Sequence, residues 1–284
     1  MAPNQIIFIV GPTASGKSAL AIDVAKHCNG EIICADSRTI YRGLDIATAK
    51  PSLQDRAQIT HHGLDLLEPS EKFSAANFKT YALGKIADIM ARGKVPIIVG
   101  GTGLYVDGLL FNFNFGPAAN DKLRAELDLL SLEQLQEMII KKGITMPENT
   151  KNKRYLVRAI EQGGVATPQT AVMPGALVIG LNPGMTELET RISARAKAML
   201  TGGALQEARW LFETFGYDAP GASAPFFKAY APFVKGEAIQ QQCLERDIVL
   251  NRQLAKRQIT WFKRNDHVKW FASANEAFAA VCNL

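Results

Sequence analysis

The sequence predicts an α/β protein whose core is a parallel sheet, and three observations lead to that prediction. Short apolar runs, typical of buried strands, alternate with longer segments whose apolar residues recur at helical spacing. A glycine-rich turn follows the first apolar run and precedes the first helix. The 284 residues are 47% hydrophobic and 21% charged, the balance of a globular chain long enough for a core with an insert.

The first part of the chain predicts three strands and two helices. Residues 6–10 (IIFIV) form a continuous apolar run that ends at a Gly-Pro turn, as expected of a strand buried on both faces. A helix is predicted from Ser18 to His27. Two more strands are predicted over 31–35 and 95–99, with a helix over 73–92 between them.

The pattern changes after about residue 112, where the strand signals stop and charged helical segments begin. Three helices are predicted there, over 119–130, 131–142 and 150–162. We therefore expect a helical insertion domain at 113–175 within an α/β core formed by 1–112 and 176–284.

After the insertion, the sequence returns to the core. A strand is predicted over 177–181 and a last strand over 267–271. Three C-terminal helices are predicted between them, at about 185–201, 203–215 and 237–264.

A phosphate-binding loop follows the first strand. Residues 11–18 match G-x-x-x-x-G-K-[ST] in full, in the required position between a strand and a helix. Its residues are Gly11, Pro12, Thr13, Ala14, Ser15, Gly16, Lys17 and Ser18. Inward-facing backbone amides and the helix N-terminus favour a phosphate, Lys17 adds a charge, and the Ser18 hydroxyl is a candidate Mg²⁺ ligand. The core is thus a P-loop core, but kinases and NTPases share this loop, so the ligand stays open.

A carboxylate with two arginines behind it follows the second strand, in the segment DSRTIYR at 36–42. Ligands of open α/β sheets bind at the carboxyl ends of the strands, so Asp36 is predicted near the phosphate loop as a general base or a metal ligand. The alternative is that Asp36 caps a following helix and the arginines are merely solvated. The residues alone leave both open.

The net charge of +5 matters mainly through its position. Six basic residues lie along the predicted C-terminal helix: Arg246, Arg252, Lys256, Arg257, Lys263 and Arg264. Such a stripe suits an RNA backbone, although a basic helix taken alone is more often a solvated face.

No feature of the sequence predicts a membrane span, a disulfide framework or a zinc site. The four cysteines include no C-x-x-C pair, and the apolar run at 6–10 is too short for a signal peptide or a span. The His61-His62 pair is interpreted as structural, because adjacent histidines are poor ligands for one ion. We expect a cytoplasmic protein, and a monomer.

Nine blocks of sequence follow one another over nearly the whole chain. They are GPTASGKS (11–18), DSRTIYR (36–42), TAKP (48–51), HHGLD (61–65), FSAANF (73–78), VGGTGLYVDGLL (99–110), KRYLVRAIE (153–161), RISARAKAML (191–200) and LAKRQITWF (254–262). Together they resemble the bacterial tRNA dimethylallyltransferase family in order and spacing. VGGTGLY and AKRQITWF are specific to that family, whereas the phosphate loop is not.

The resemblance implies an activity. Members of the family transfer the dimethylallyl group of dimethylallyl diphosphate to N6 of the adenosine 3′ of a tRNA anticodon, with Mg²⁺, and release diphosphate. It implies that Asp36 is the base and that Thr13 and Thr102 lie beside the reacting groups. The alternatives are that Thr13 is a structural loop hydroxyl and that Thr102 caps a helix.

The resemblance also implies an arginine that holds diphosphate. Arg191 and Arg195 lie four residues apart, and Arg191 is the preferred catalytic candidate; the alternative is that Arg191 only pairs with Glu187. The implied tRNA contacts are Asp36, Ser37, Arg38, Thr39, Thr102, Arg124, Lys151, Lys153, Arg154, Arg158, Lys228, Lys256, Arg257 and Gln258.

The sequence departs from the family pattern in one segment, APFFKAY at 224–230. Lys228 is kept there, but Pro225 and Phe226 are unusual, and Asn251 stands where threonine is usual. Two other enzymes share the phosphate loop: a small-molecule kinase and a prenyl transferase that acts on free adenylate. The basic C-terminal helix argues against the kinase, and the tRNA-binding helices with the insertion argue against the adenylate enzyme. A third alternative is a non-catalytic tRNA-binding protein, against which the intact phosphate loop and Asp36 argue.

Overall fold

The computed structural model describes residues 5–116, 120–147, 149–163 and 171–283. The chain divides into two compact units. The first unit comprises Met1–Leu110 and Met173–Leu284, and the second unit comprises Phe111–Val172.

The first unit is built on a parallel sheet, which confirms the predicted α/β class. The strands are β1 (Ile6–Val10), β2 (Gly30–Cys34), β3 (His61–His62), β4 (Val95–Gly100), β5 (Ala176–Leu181) and β6 (Val268–Phe271). Their order is β3-β2-β4-β1-β5-β6, and each neighbouring pair is parallel. The loops after β1, β2 and β4 therefore meet at one edge of the sheet, which we call the carboxyl edge.

Helices connect and cover the strands. They are α1 (Lys17–Cys28), α2 (Leu53–Gln58), α3 (Ala75–Ala91), α4 (Gly103–Leu110), α5 (Asp121–Asp128), α6 (Leu132–Lys141), α7 (Lys153–Gln162), α8 (Met185–Thr201), α9 (Ala204–Phe215), α10 (Pro225–Val234), α11 (Gln240–Phe262) and α12 (Ala274–Cys282). Across the described residues, every helix is too short or too polar to span a lipid bilayer.

The core of the first unit forms where helices bury one face of the sheet. All five residues of β1 are buried, and Ile7 and Ile9 pack with apolar residues of α1 and α12. A second cluster joins α8, α9 and α10 to the loop after β2, with Phe226, Phe227 and Tyr230 fully buried. Each such aliphatic or aromatic side chain contributes about 1.5–3 kcal/mol on burial.

Several elements of the first unit were not predicted from the sequence. β3 has only two residues, and it is a strand because His61 and His62 pair with Ile32 and Ile33 of β2. Proline discourages a helix prediction for α10. Pro225, however, is the first residue of that helix, where a missing amide costs nothing.

The second unit consists of α5, α6 and α7 around a small apolar cluster. Its buried residues are Leu127, Leu135, Ile139, Leu156, Val157 and Ile160. Ser131 begins α6 with a capping box, in which its side chain accepts from the Gln134 amide. The predicted start of the first insertion helix at 119 lies outside the described residues, as do residues 164–170 of the stretch that precedes β5.

Candidate active site

The phosphate loop turns tightly between β1 and α1, at the carboxyl edge of the sheet. Gly11 has a φ of 149°, and a Cβ there would lie 2.5 Å from the carbonyl oxygen of Leu181. Gly16 precedes α1 with a φ of 93°, a conformation that side chains rarely adopt. The backbone conformation of the loop therefore requires glycine at both positions.

Lys17 extends into the site with little to balance its charge. Its Nζ donates to the carbonyl oxygen of Pro12, 3.1 Å away. The pKa of Lys17 is lowered to about 8, chiefly by burial; Asp36 opposes this shift and Arg195 adds to it. A bound anion would restore the charged form, so the loop favours an anionic ligand.

Two hollows open on either side of Asp36. The residues that line the first hollow include Lys17, Ser18, Asp36, Ala47, Thr48, Arg195, Met199, Pro225, Phe226 and Asn251. Those that line the second hollow include Asp36, Ser37, Thr102, Leu104, Arg257 and Trp261. Thr13, Lys17, Asp36, Arg38 and Leu254 line both. Asp36 thus lies where the two hollows meet.

A tight turn holds Asp36 in this position. Its Oδ1 accepts from the backbone amide of Arg38 at 2.9 Å. The next residue, Ser37, is fixed by Thr102, whose Oγ1 accepts from the Ser37 amide at 3.0 Å and donates to the Ser37 hydroxyl at 3.3 Å. Residues 36–52 contain no helix, so the alternative that Asp36 caps one is wrong. Thr102 directly precedes α4, and its side chain holds the Asp36 turn.

The same turn continues into Arg38 and Thr39. Arg38 lines both hollows and donates through Nη1 to the hydroxyl of Ser223. Thr39 is buried, and its Oγ1 donates to the backbone oxygen of Asp36 at 3.4 Å. Ser223 was not predicted, because a serine in a Gly-Ala-Ser turn carries no sequence signal of its own.

The two candidate arginines occupy different places. Arg195 lines the first hollow, where its Nη2 donates to Thr13 Oγ1 at 2.5 Å and to Asn251 Oδ1 at 3.3 Å. Arg191 is exposed; it donates to the Ser15 carbonyl oxygen at 3.2 Å and pairs with Glu187 at 2.8 Å. The geometry therefore favours Arg195 over Arg191 as the arginine that faces a ligand in the hollow, and the Glu187 pair is present.

Gln258 joins two loops of the site. Its Oε1 accepts from the Thr13 amide at 2.7 Å, and its Nε2 donates to the Gly101 carbonyl oxygen at 2.9 Å. The side chain is buried. Although the resemblance placed Gln258 among the tRNA contacts, both ends of its amide bind the protein backbone, so the geometry gives it a structural task.

The other basic candidates are spread over the molecule. Lys228, Lys256 and Arg257 are exposed on α10 and α11, and Arg257 lines the second hollow. Within the second unit, Lys151 and Arg154 are exposed and Lys153 donates to the carbonyl oxygen of Asp128. Arg124 and Arg158 of that unit both pair with Glu161, at 2.7 and 3.1 Å, so their charges are shared with an internal carboxylate.

The residues at the first hollow suit a metal ion that is coordinated mainly by a bound substrate and only in part by the protein. The Ser18 side chain is exposed at its edge, directly after Lys17. No group of three or more His, Cys, Asp and Glu side chains among the described residues could hold a metal ion by itself. Mg²⁺ commonly binds through one or two protein oxygens plus substrate phosphates and water, and Ser18 with Asp36 nearby suits that pattern.

A family model described as IPP transferase matches residues 39–265. The chain belongs to this family. It is 40% identical over 272 residues to the tRNA dimethylallyltransferase of Streptococcus pyogenes serotype M4, covering 93% of this chain and 89% of that protein. The resemblance inferred from the sequence is therefore confirmed, and so is the prediction of a prenyl-transferring enzyme.

Solved structures show the same fold. The full-length tRNA isopentenylpyrophosphate transferase of Bacillus halodurans superposes with a TM-score of 0.76 at 31% identity, covering 99% of this chain and 95% of that one. A eukaryotic dimethylallyltransferase acting on tRNA superposes with a TM-score of 0.77 at 25% identity, covering 98% of this chain and 76% of that one.

Proposed function

We propose that this protein transfers a dimethylallyl group from dimethylallyl diphosphate to N6 of the adenosine 3′ of a tRNA anticodon, and releases diphosphate. The observation that carries the proposal is the position of Asp36 between two hollows. One hollow is lined by cationic and apolar side chains, and the other opens beside the basic helix α11.

The first hollow suits an allylic diphosphate. Its cationic side combines the phosphate loop, Lys17 and Arg195, and its apolar side is formed by Met199, Pro225 and Phe226. When the allylic C–O bond breaks, negative charge develops on the diphosphate. Donors and charges that are already in place stabilise that charge without reorganising, which is the largest source of catalysis in such reactions.

Asp36 would accept the proton of the nucleophile. The exocyclic amine of adenine attacks the allylic carbon, the N–C bond forms, and the C–O bond breaks with its electron pair leaving on diphosphate. The nitrogen then carries an extra proton, which a carboxylate oxygen of Asp36 takes up. Thr102 and Ser37 keep the Asp36 turn rigid during this transfer.

Mg²⁺ is part of the proposal. Ser18 would hold it together with diphosphate oxygens, and the ion would supply positive charge to the leaving group. The protein's own part is to orient the diphosphate through the loop amides, Lys17 and Arg195.

The second hollow would receive the target base. An adenine in a tRNA loop must leave its stack to reach Asp36, because the reacting nitrogen is otherwise out of reach. Arg257 lies at this hollow, and Lys256 lies next to it on the exposed side of α11. These charges would neutralise tRNA phosphates, so we expect binding that weakens as salt is raised. We further propose that the enzyme acts in the cytoplasm and that it is a monomer. Light scattering of the purified protein tests the oligomeric state.

A transfer assay tests the proposal. The protein is incubated with Mg²⁺, labelled dimethylallyl diphosphate and an unmodified tRNA transcript that has adenosine 3′ of the anticodon. A transcript with guanosine at that position is the matched control, and AMP is a third acceptor. We expect label in the first transcript alone. Label in AMP and not in tRNA would instead indicate an enzyme of free adenylate. In a parallel incubation with ATP and AMP, consumption of ATP with a phosphorylated product would indicate a kinase.

A further inference from the structure

A buried carboxylate lies behind the arginine of the first hollow. Asp247 is on α11 and is fully buried. Its Oδ1 accepts from Asn251 Nδ2 at 2.8 Å, whereas its Oδ2 has no hydrogen-bond partner. One helical turn further along, Asn251 Oδ1 accepts from Arg195 Nη2 at 3.3 Å. A carboxylate, an amide and a guanidinium thus form a chain that ends on Thr13 in the phosphate loop.

Each hydrogen bond between Asp247, Asn251 and Arg195 has a fixed donor and a fixed acceptor. An ionised carboxylate can only accept hydrogen bonds, so it draws the NH₂ end of the Asn251 amide toward itself. The oxygen of that amide is then left facing Arg195, where it can accept from the guanidinium. The NH₂ end also donates to the Asp247 backbone oxygen at 3.0 Å, so a neutral group at position 247 would weaken this constraint without removing it.

We propose that Asp247 is a positioning residue for diphosphate binding: its charge, acting through Asn251, holds the Arg195 guanidinium on Thr13 in the first hollow. The proposal rests on the proposed function, because it assumes that Arg195 binds diphosphate. A buried carboxylate is costly to keep, and an unpartnered oxygen adds to that cost. A cost of this kind is expected where the charge serves a site.

Other groups around Asp247 make its charge sensitive to pH. Arg195 approaches from α8 and Tyr230 from α10, while Asn251 and Cys243 lie on α11 itself. Burial raises the pKa of Asp247 to about 6, and Arg195 opposes that shift. Burial and Asp247 together raise the pKa of Tyr230, so its hydroxyl stays neutral. Lys17 and Asp36 act on the same guanidinium from the other side. Protonation of Asp247 as the pH falls through about 6 would therefore loosen Arg195.

The test compares the affinity of the intact protein for inorganic diphosphate with Mg²⁺, measured by calorimetry at pH 7.5. We expect Asp247→Asn to weaken binding about tenfold, the effect of losing one charge-assisted contact. The KM for dimethylallyl diphosphate should rise with it, while kcat changes less. The melting temperature should hold or rise, since the variant keeps the shape and removes a buried charge.

Three further measurements complete the test. Asp107→Asn is the matched control, because Asp107 is another buried carboxylate with an unpartnered oxygen whose pKa is raised to about 6, but it binds Trp261 and not Arg195; diphosphate affinity should be unchanged. Asn251→Leu removes the amide that connects Asp247 to Arg195 while keeping the aspartate itself, and should weaken diphosphate binding as Asp247→Asn does. Lowering the pH from 7.5 to 5.5 should weaken binding to the wild type more than to Asp247→Asn.

The outcomes distinguish the positioning role of Asp247 from the proposed function of the enzyme. If Arg195→Gln abolishes diphosphate binding while Asp247→Asn and Asn251→Leu bind as tightly as the wild type, the positioning role is wrong and the proposed function stands. A fall in melting temperature without a change in affinity would also overturn it, because that result describes a purely structural residue. If the wild type does not bind diphosphate, both proposals fail.

Discussion

Buried polar groups around the phosphate loop and Arg195 are bonded differently from buried charges elsewhere in the first unit. Glu31 on β2 is almost fully buried and binds Arg92, Lys94 and His62 together. Lys50 is equally buried and binds Asp45, Asp65 and the Tyr41 carbonyl oxygen. Each of these charges has a partner on almost every side.

Around the phosphate loop and Arg195, several hydrogen-bond partners are missing. Lys17 has one carbonyl contact and a lowered pKa. Ser15 Oγ and Asp247 Oδ2 are buried without hydrogen-bond partners. Native proteins satisfy buried polar groups almost everywhere, so a cluster of unsatisfied ones marks a place where a ligand completes the bonding. Fully bonded charges therefore stabilise this fold, and we propose that the incompletely bonded groups around the phosphate loop bind its substrate.

Substitutions of Asp36 and Glu31 should differ most in their effects on turnover and stability. Asp36→Asn is expected to lower turnover about 10²–10⁴-fold, because it removes a general base, while tRNA binding and melting temperature are kept. Glu31→Gln is expected to lower the free energy of unfolding by about 1–3 kcal/mol, because Arg92, Lys94 and His62 lose their common buried carboxylate, while turnover per folded molecule is kept. Steady-state kinetics and denaturant titration measure both. An active Asp36→Asn enzyme would remove the base from the mechanism.

The lysine pair applies the same substitution to both regions. Lys17→Met should lower kcat/KM about 10²–10³-fold, the size expected when a charge on the leaving group is lost, with no loss of stability. Lys50→Met should lower the free energy of unfolding by about 2–3 kcal/mol, because two carboxylates are left without their buried partner. Equal effects of the two variants on melting temperature would contradict the comparison.

The arginine pair distinguishes the two candidates for diphosphate. Arg195→Gln should weaken diphosphate by about 100-fold, the upper range for a hydrogen bond to a charged group. Arg191→Gln should change it only a few-fold, because an exposed arginine already paired with Glu187 contributes little. The dissociation constants of the two variants for inorganic diphosphate test this prediction. A larger loss of affinity in Arg191→Gln than in Arg195→Gln would restore Arg191 as the residue that binds diphosphate.

The smallest expected effect is a pH dependence. The Lys17 ammonium loses its proton as the pH rises through about 8, since burial lowers its pKa. The kcat/KM for dimethylallyl diphosphate should therefore fall above that pH, by about tenfold for each further unit in the limit. A profile that stays flat from pH 7 to pH 9.5 would show that the charge on Lys17 is not needed for capture.

The sequence predicted the parts of this molecule that local pattern determines. Apolar runs gave β1, β2, β4 and β5, and the phosphate-loop consensus placed Lys17 at the carboxyl edge. The position of Asp36 followed from a general property of parallel sheets. The strand β3 could not be predicted, because two histidines become a strand only by pairing with β2.

The inner layer of the site was also beyond the sequence. Gln258 and Asn251 lie on a helix rich in charge, where polar residues usually face solvent. Their burial depends on contacts with Thr13 and Arg195, which are far away in sequence. Only tertiary packing brings these groups together, and the same holds for Asp247.

One measurement tests the central claim most directly: mass spectrometry of the nucleosides released from tRNA after reaction with dimethylallyl diphosphate. The account predicts that the wild type converts one adenosine per tRNA, the one 3′ of the anticodon, to its N6-dimethylallyl derivative, and that Asp36→Asn leaves it as adenosine. Unmodified adenosine after reaction with the wild type, or the same derivative at full yield with Asp36→Asn, would contradict it.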